Sequence, residues 1–156
     1  MKTIVLGIGN TLLSDEGVGV HVMNQVRKTI NGWDGVECID GGTLSFSLAG
    51  EIEAAENLIV IDAAALNKEP GAIACLVGEQ MDDFLGSCKC SAHEVGLVDL
   101  MDIMRLTTGI PENRALVAIQ PEKMDWGEQP GEAVRRAMPL ASKKVEALIR
   151  RWHEGE

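Results

Sequence analysis

The chain has 156 residues, 46% of them hydrophobic and 24% charged, with a formal net charge of -10. That balance fits one folded domain spanning the whole chain and excludes a disordered or fibrous protein. The acidic surplus argues against a nucleic-acid partner, which needs clustered Lys and Arg, and no window reaches the roughly 18 apolar residues of a membrane span.

Thr3 to Ile8 (TIVLGI) is a short continuous apolar run, the pattern of a strand buried on both faces. The run is too short for a signal peptide and has no small-residue cleavage site, so a cytoplasmic protein is expected. The strand exits into GIGNTLLSDEGVG. There Ser14 reads as a helix N-cap with Asp15 and Glu16 in the first turn. The helix turns Val18, Val22 and Val26 inward and ends near Ile30, before Asn31-Gly32.

Val36 to Asp40 is the second predicted strand, followed by Gly41, Gly42 and Thr43 and a helix from about Leu44 to Ala55. Asn57 to Ala63 is the third strand, again apolar throughout. Ala72 to Val77 is the fourth, too close behind it for a crossover helix, so this strand is expected to run antiparallel. Ser91-Ala92-His93-Glu94 has the S-x-x-E pattern of a capping box, and Leu97, Leu100, Met101 and Met104 follow at helical spacing. Arg114 to Gln120 is the fifth strand. The last helix spans about Gly131 to Trp152, with Pro139 expected to kink or split it.

This order predicts an α/β three-layer sandwich: a five-stranded, mostly parallel sheet with one antiparallel strand and helices on both faces. Ligands in such folds bind beyond the carboxyl ends of the strands. Asp15, Glu16, Asp40, Asp62 and Gln120 all fall at those ends, with His93 in the segment that opens a later helix.

Two chemistries compete for this edge. A dinucleotide fingerprint needs G-x-G-x-x-G, but Leu12 stands at the third position, and Asp15 and Glu16 would repel a phosphate. A divalent metal suits the set better, because Glu16, Asp62 and His93 supply two carboxylates and an imidazole, donors matched to Zn, Ni or Mn. His93 near a helix N-terminus is disfavoured as imidazolium, which keeps a lone pair free. Each residue also has a plain structural reading. The acids complement a helix dipole, Asp62 caps a loop, and His21 on a helix face and His153 in the tail carry no chemistry.

Of the four cysteines, Cys38 and Cys75 fall in predicted strands and read as buried hydrophobes. Cys88 and Cys90 form a lone CxC without zinc-site spacing, so reduced thiols are expected.

G-I-G-N-x-L-L-x-D-E-G-V-G, then D-G-G-T at 40–43, I-D-A at 61–63 and S-A-H-E-V-G-L at 91–97 form an ordered set. This set resembles the hydrogenase maturation proteases over essentially the whole chain. The resemblance implies a cytosolic endopeptidase that trims the C-terminal extension of a nickel-iron hydrogenase large-subunit precursor after nickel insertion. It also implies a five-stranded sheet with one antiparallel strand. The family's metal-contacting Glu, Asp and His fall on Glu16, Asp62 and His93, which would meet nickel supplied by the substrate. Asp15, Asp40 and Asp62 are then the candidate catalytic carboxylates. Gly41, Gly42, Thr43 and Gln120 are candidates for binding an extended peptide. A monomer is expected. The alternatives carried are a nucleotide-binding α/β enzyme and a non-catalytic metal-sensing assembly module.

Overall fold

The computed structural model describes residues 1–42, 48–87 and 92–155, the stretch 92–96 by its backbone alone. Five strands form one sheet in the order β2-β1-β3-β5-β4: β1 (Thr3–Ile8), β2 (Val36–Gly42), β3 (Asn57–Ala63), β4 (Ile73–Val77) and β5 (Asn113–Ile119). β1 pairs in parallel with β2 and β3, and β3 pairs in parallel with β5. β4 lies at the edge, antiparallel to β5, as the short connection requires. β1 and β3 are buried at every residue, which explains their unbroken apolar sequences.

Helices cover both faces. α1 (Val18–Thr29) and α5 (Glu132–Glu154) pack on one face, with Val18, Val22, Val26, Val145 and Ile149 buried against Val5, Ile59 and Val117. α2 (Leu48–Ile52), α3 (Glu79–Ser87) and α4 (Ala92–Leu106) cover the other. There Leu97, Leu100, Met101 and Met104 meet Ile4, Leu6, Leu58 and Val60. Each such residue, moved from water to a filled core, contributes about 1.5–3 kcal/mol before entropy is charged against it.

Several expectations are corrected. Ser14 is not a helix cap. Residues Ser14–Gly17 form a 3-10 turn preceding α1, with no side-chain cap, and the Ser14 hydroxyl donates to the Asp125 carbonyl instead. Pro139 does not divide the last helix. α5 runs uninterrupted through it, since Val134 and Met138 before the proline and Ala141 and Val145 after it are all buried on the same core. The sequence reading passed over α3, whose apolar face is short (Met81, Phe84, Leu85). α2 ends at Ile52, before the expected Ala55. Cys38 and Cys75 are half-buried rather than buried, and burial pushes both thiols above their ordinary range. Thr43, Cys88, Cys90, the Ser91 cap and the His93 side chain lie outside the described residues.

Candidate active site

Two glycines determine where the acidic turn sits. Gly9 leaves β1 at φ 136°, a conformation that only glycine adopts readily, and a Cβ there would run into the Glu16 carbonyl. Gly19 opens α1, and a Cβ there would strike the backbone carbonyl oxygens of Ile61 and Ile8. Without side chains at these two points, the 3-10 turn and the first turn of α1 press directly on the carboxyl ends of β1 and β3. The glycines thus serve close backbone packing rather than phosphate binding.

The amides of this loop confirm that distinction. Gly9 N–H donates to Gly42 O, Leu12 N–H to Asn10 Oδ1, and Leu13 N–H to Asn10 O. Ser14 N–H donates to Gly127 O, Asp15 N–H to Lys123 O, and Glu16 N–H to Leu13 O. A phosphate cradle needs converging unengaged amides, and these are spent on the protein itself.

Asp15 and Glu16, adjacent in sequence, have opposite surroundings. Asp15 is wholly buried. Its Oδ2 accepts the N–H groups of Glu122 (2.8 Å) and Lys123 (2.7 Å), and its Oδ1 accepts that of Gly131 (2.6 Å). The carboxylate therefore staples the 122–131 segment, more than a hundred residues away, to the acidic turn. Ser14 reinforces the joint. It is held in the left-handed region at φ 49° by its hydroxyl bond to Asp125 O and its amide bond to Gly127 O. Glu16 is partly exposed on the same turn.

Asp62 is the sixth residue of β3 and only 2% exposed. A carboxylate at that depth is tolerated only with partners. The contact of Gly19 with Ile61 O sets the acidic turn over this end of β3, so Glu16 and Asp62 belong to one edge of the sheet. His93 is the second residue of α4 by its backbone. Among the described residues no three His, Cys, Asp or Glu side chains cluster as a metal site.

Asp40 is exposed on β2, where the register shifts so that Gly7 faces Asp40 and Ile8 faces Gly42. The bulge leaves Gly41 unpaired, and the Asp40 Oδ1 accepts the Gly42 N–H at 2.9 Å. Asp40 and Gly42 line an open cleft of about 280 Å³ with Gly9, Asn10, Thr11 and Leu12. Gln120 is engaged internally: its Oε1 accepts the Leu66 N–H at 2.6 Å and its Nε2 donates to Pro121 O at 3.1 Å. This side chain ties down the segment after β3.

The remaining histidines stand apart. His153 Nε2 lies 2.8 Å from Thr3 Oγ1, in a ladder through Asn57 and Asn113 at the amino ends of the strands. His21 lies on α1. Burial lowers its pKa, and its Nε2 has no hydrogen-bond partner among the described residues. The sequence reading missed the staple function of Asp15. Its partners at 122, 123 and 131 carry the bond through backbone amides, which leave no residue-type signal.

The fold and this edge define an α/β protein with acidic side chains gathered beyond the carboxyl ends of its central strands. A sequence profile of the family described as "Hydrogenase maturation protease" matches residues 20–148. The Hydrogenase expression/formation protein HoxM of Cupriavidus necator is 31% identical over 150 residues, covering 96% of this chain and 74% of that one. The Hydrogenase 2 maturation protease of Escherichia coli is 34% identical over 126 residues, 80% of this chain and 76% of that one. The structure of the hydrogenase maturating endopeptidase HybD from E. coli superposes with a TM-score of 0.88 at 30% identity, covering 97% of this chain and 93% of that one. The chain belongs to the hydrogenase maturation protease family, and its class is that of a peptide-bond hydrolase.

Proposed function

We propose that this protein removes the C-terminal extension of a nickel-iron hydrogenase large-subunit precursor, acting in the cytoplasm as a monomer and only after nickel has been inserted. One observation carries the reading: in a chain of this family, backbone packing seats the Glu16 turn on the end of β3 that bears Asp62. Glu16 and Asp62 offer oxygen donors and His93 a nitrogen, a mixed set suited to a borderline divalent ion such as nickel. The ion arrives with the substrate, whose own ligands complete its shell, so affinity for free metal is modest.

The surroundings of the three candidate aspartates support a division of roles among them. Asp15 accepts three backbone N–H bonds, so it serves the fold. Asp62 belongs to the metal. Asp40, exposed beside the open cleft, is the general base of this proposal. It takes a proton from water as the oxygen attacks the scissile carbonyl carbon. The proton then passes to the leaving nitrogen as the C–N bond breaks. Gly41 and Gly42, with Thr43 beyond them, let the extended peptide approach the backbone, while Gln120 holds the segment after β3 in place.

The test is processing by purified variants. Glu16→Gln, Asp62→Asn and His93→Ala should each still fold, with some loss of stability at the buried Asp62, and lose processing of the nickel-loaded precursor. Full activity in any two of them would sink the nickel-reading site. Asp40→Asn should bind the precursor normally and cut it at least about a hundredfold more slowly.

A further inference from the structure

Beside the carboxylate edge lies a surface that the chemistry does not use. Leu12 is 51% exposed, Met124 43% and Trp126 81%. Isolated apolar residues on a surface are ordinary, but these three lie on two segments paired side by side. The Leu13–Gly127 bridge is parallel, so Leu12 and Trp126, one residue earlier on each segment, are register neighbours. Met124 stands two residues before the tryptophan.

The support beneath them is fixed. Gly127 N–H donates to Leu12 O, Ser14 N–H to Gly127 O and the Ser14 hydroxyl to Asp125 O. Asp15 accepts from Glu122, Lys123 and Gly131. A buried carboxylate and a strained serine thus hold a tryptophan open to water. That arrangement suits an interface anchor, because a rigid aromatic loses little entropy on docking.

The patch is also continuous with the proposed site. Leu12 lines the same cleft as Asp40 and Gly42, and the Asp15 staple adjoins Glu16. Within residues 122–128, Glu122, Asp125 and Glu128 are exposed against a single cation, Lys123. The partner face that fits is therefore an apolar spot bordered by Lys and Arg.

We infer that Leu12, Met124 and Trp126 form the docking surface for the folded body of the large-subunit precursor, with Trp126 as anchor and the surrounding acids as its guide. The inference rests on the proposed function and adds the surface by which the substrate protein is held while its tail is cut.

The experiment measures binding of the full-length, nickel-loaded precursor to the intact protein by interferometry, with processing followed separately in the same mixtures. Trp126→Ala should weaken binding about 30-fold and raise KM in proportion, leaving kcat at saturating precursor and the melting temperature unchanged. Affinity should fall as salt is raised, and much less so in the triple variant Glu122→Gln, Asp125→Asn, Glu128→Gln. Equal affinity of Trp126→Ala and the unsubstituted protein, or no binding by either, overturns the inference. So does a homodimer that Trp126→Ala dissolves, which would assign the patch to self-association. Tryptophan-dependent binding without any processing keeps the docking surface and rejects the protease reading instead.

Discussion

Replacing Asp15 by Asn tests whether this carboxylate is structural. The change is nearly isosteric but exchanges one acceptor for a donor. If the amide oxygen takes the Glu122 and Lys123 N–H groups, its NH2 confronts the Gly131 N–H, 2.6 Å from the present oxygen. If the amide is reversed, two donors are confronted instead of one. The better orientation loses one charge-assisted hydrogen bond outright and weakens two more. A hydrogen bond to a charged group contributes about 1.5–3 kcal/mol, and a buried donor left facing another donor costs a similar amount. Gly131 is only partly buried, so its amide can turn to water and recover part of this, and the expected loss is roughly 2–4 kcal/mol. For a chain of this length that lowers the melting temperature by about 5–15 °C. Urea unfolding near neutral pH measures it, with Glu16→Gln as the neighbour control, expected within about 0.5 kcal/mol of the unsubstituted protein. An Asp15→Asn variant as stable as that control would refute the reasoning and return Asp15 to the catalytic candidates.

Gly19→Ala introduces a better helix former by about 1 kcal/mol, yet its Cβ would strike the carbonyls of Ile61 and Ile8. Overpacking against backbone should dominate, with a net loss of at least about 3 kcal/mol, and a melting temperature at or above normal would contradict it. Asp82 accepts hydrogen bonds from Arg114 at 3.0 and 2.5 Å. This bonding holds its carboxyl below the ordinary value of 3.8 against the opposing effect of burial. The pair's stabilisation is therefore complete above that value and lost as acid protonates Asp82. Asp82→Asn should cost about 1–3 kcal/mol near neutral pH, the difference narrowing in acid, as pH-dependent denaturant titrations would show. His21 is depressed by burial below 6.5, so the unfolded chain takes up its proton first and stability falls as pH drops below that value. His21→Gln should flatten the melting-temperature profile between about pH 7 and pH 5. An unchanged slope would show that His21 does not titrate on unfolding.

The parts of the fold legible in the sequence are those whose cause is local. β1 and β3 were readable because both faces are buried, leaving an unbroken apolar run, and β4 because a short connection forbids a parallel return. Features decided at long range were not. Ser14 has the residue type of a cap, but a partner 111 residues away claims its hydroxyl. Pro139 breaks isolated helices, yet here core contacts on either side of it hold one helix together. Of the candidate site, the residue types and their place at the strand ends were visible. Which of two adjacent acids is spent on the fold was not, because the Asp15 partners are backbone amides that every sequence carries.

The proposed reaction cuts a peptide bond only when nickel is in place. Intact-mass spectrometry of the large-subunit precursor, incubated with this protein in nickel-loaded and nickel-free forms, addresses it directly. The loaded form alone should lose a C-terminal peptide. Equal shortening of both forms would contradict the nickel-reading role of Glu16, Asp62 and His93, and shortening of neither would contradict the assigned processing reaction.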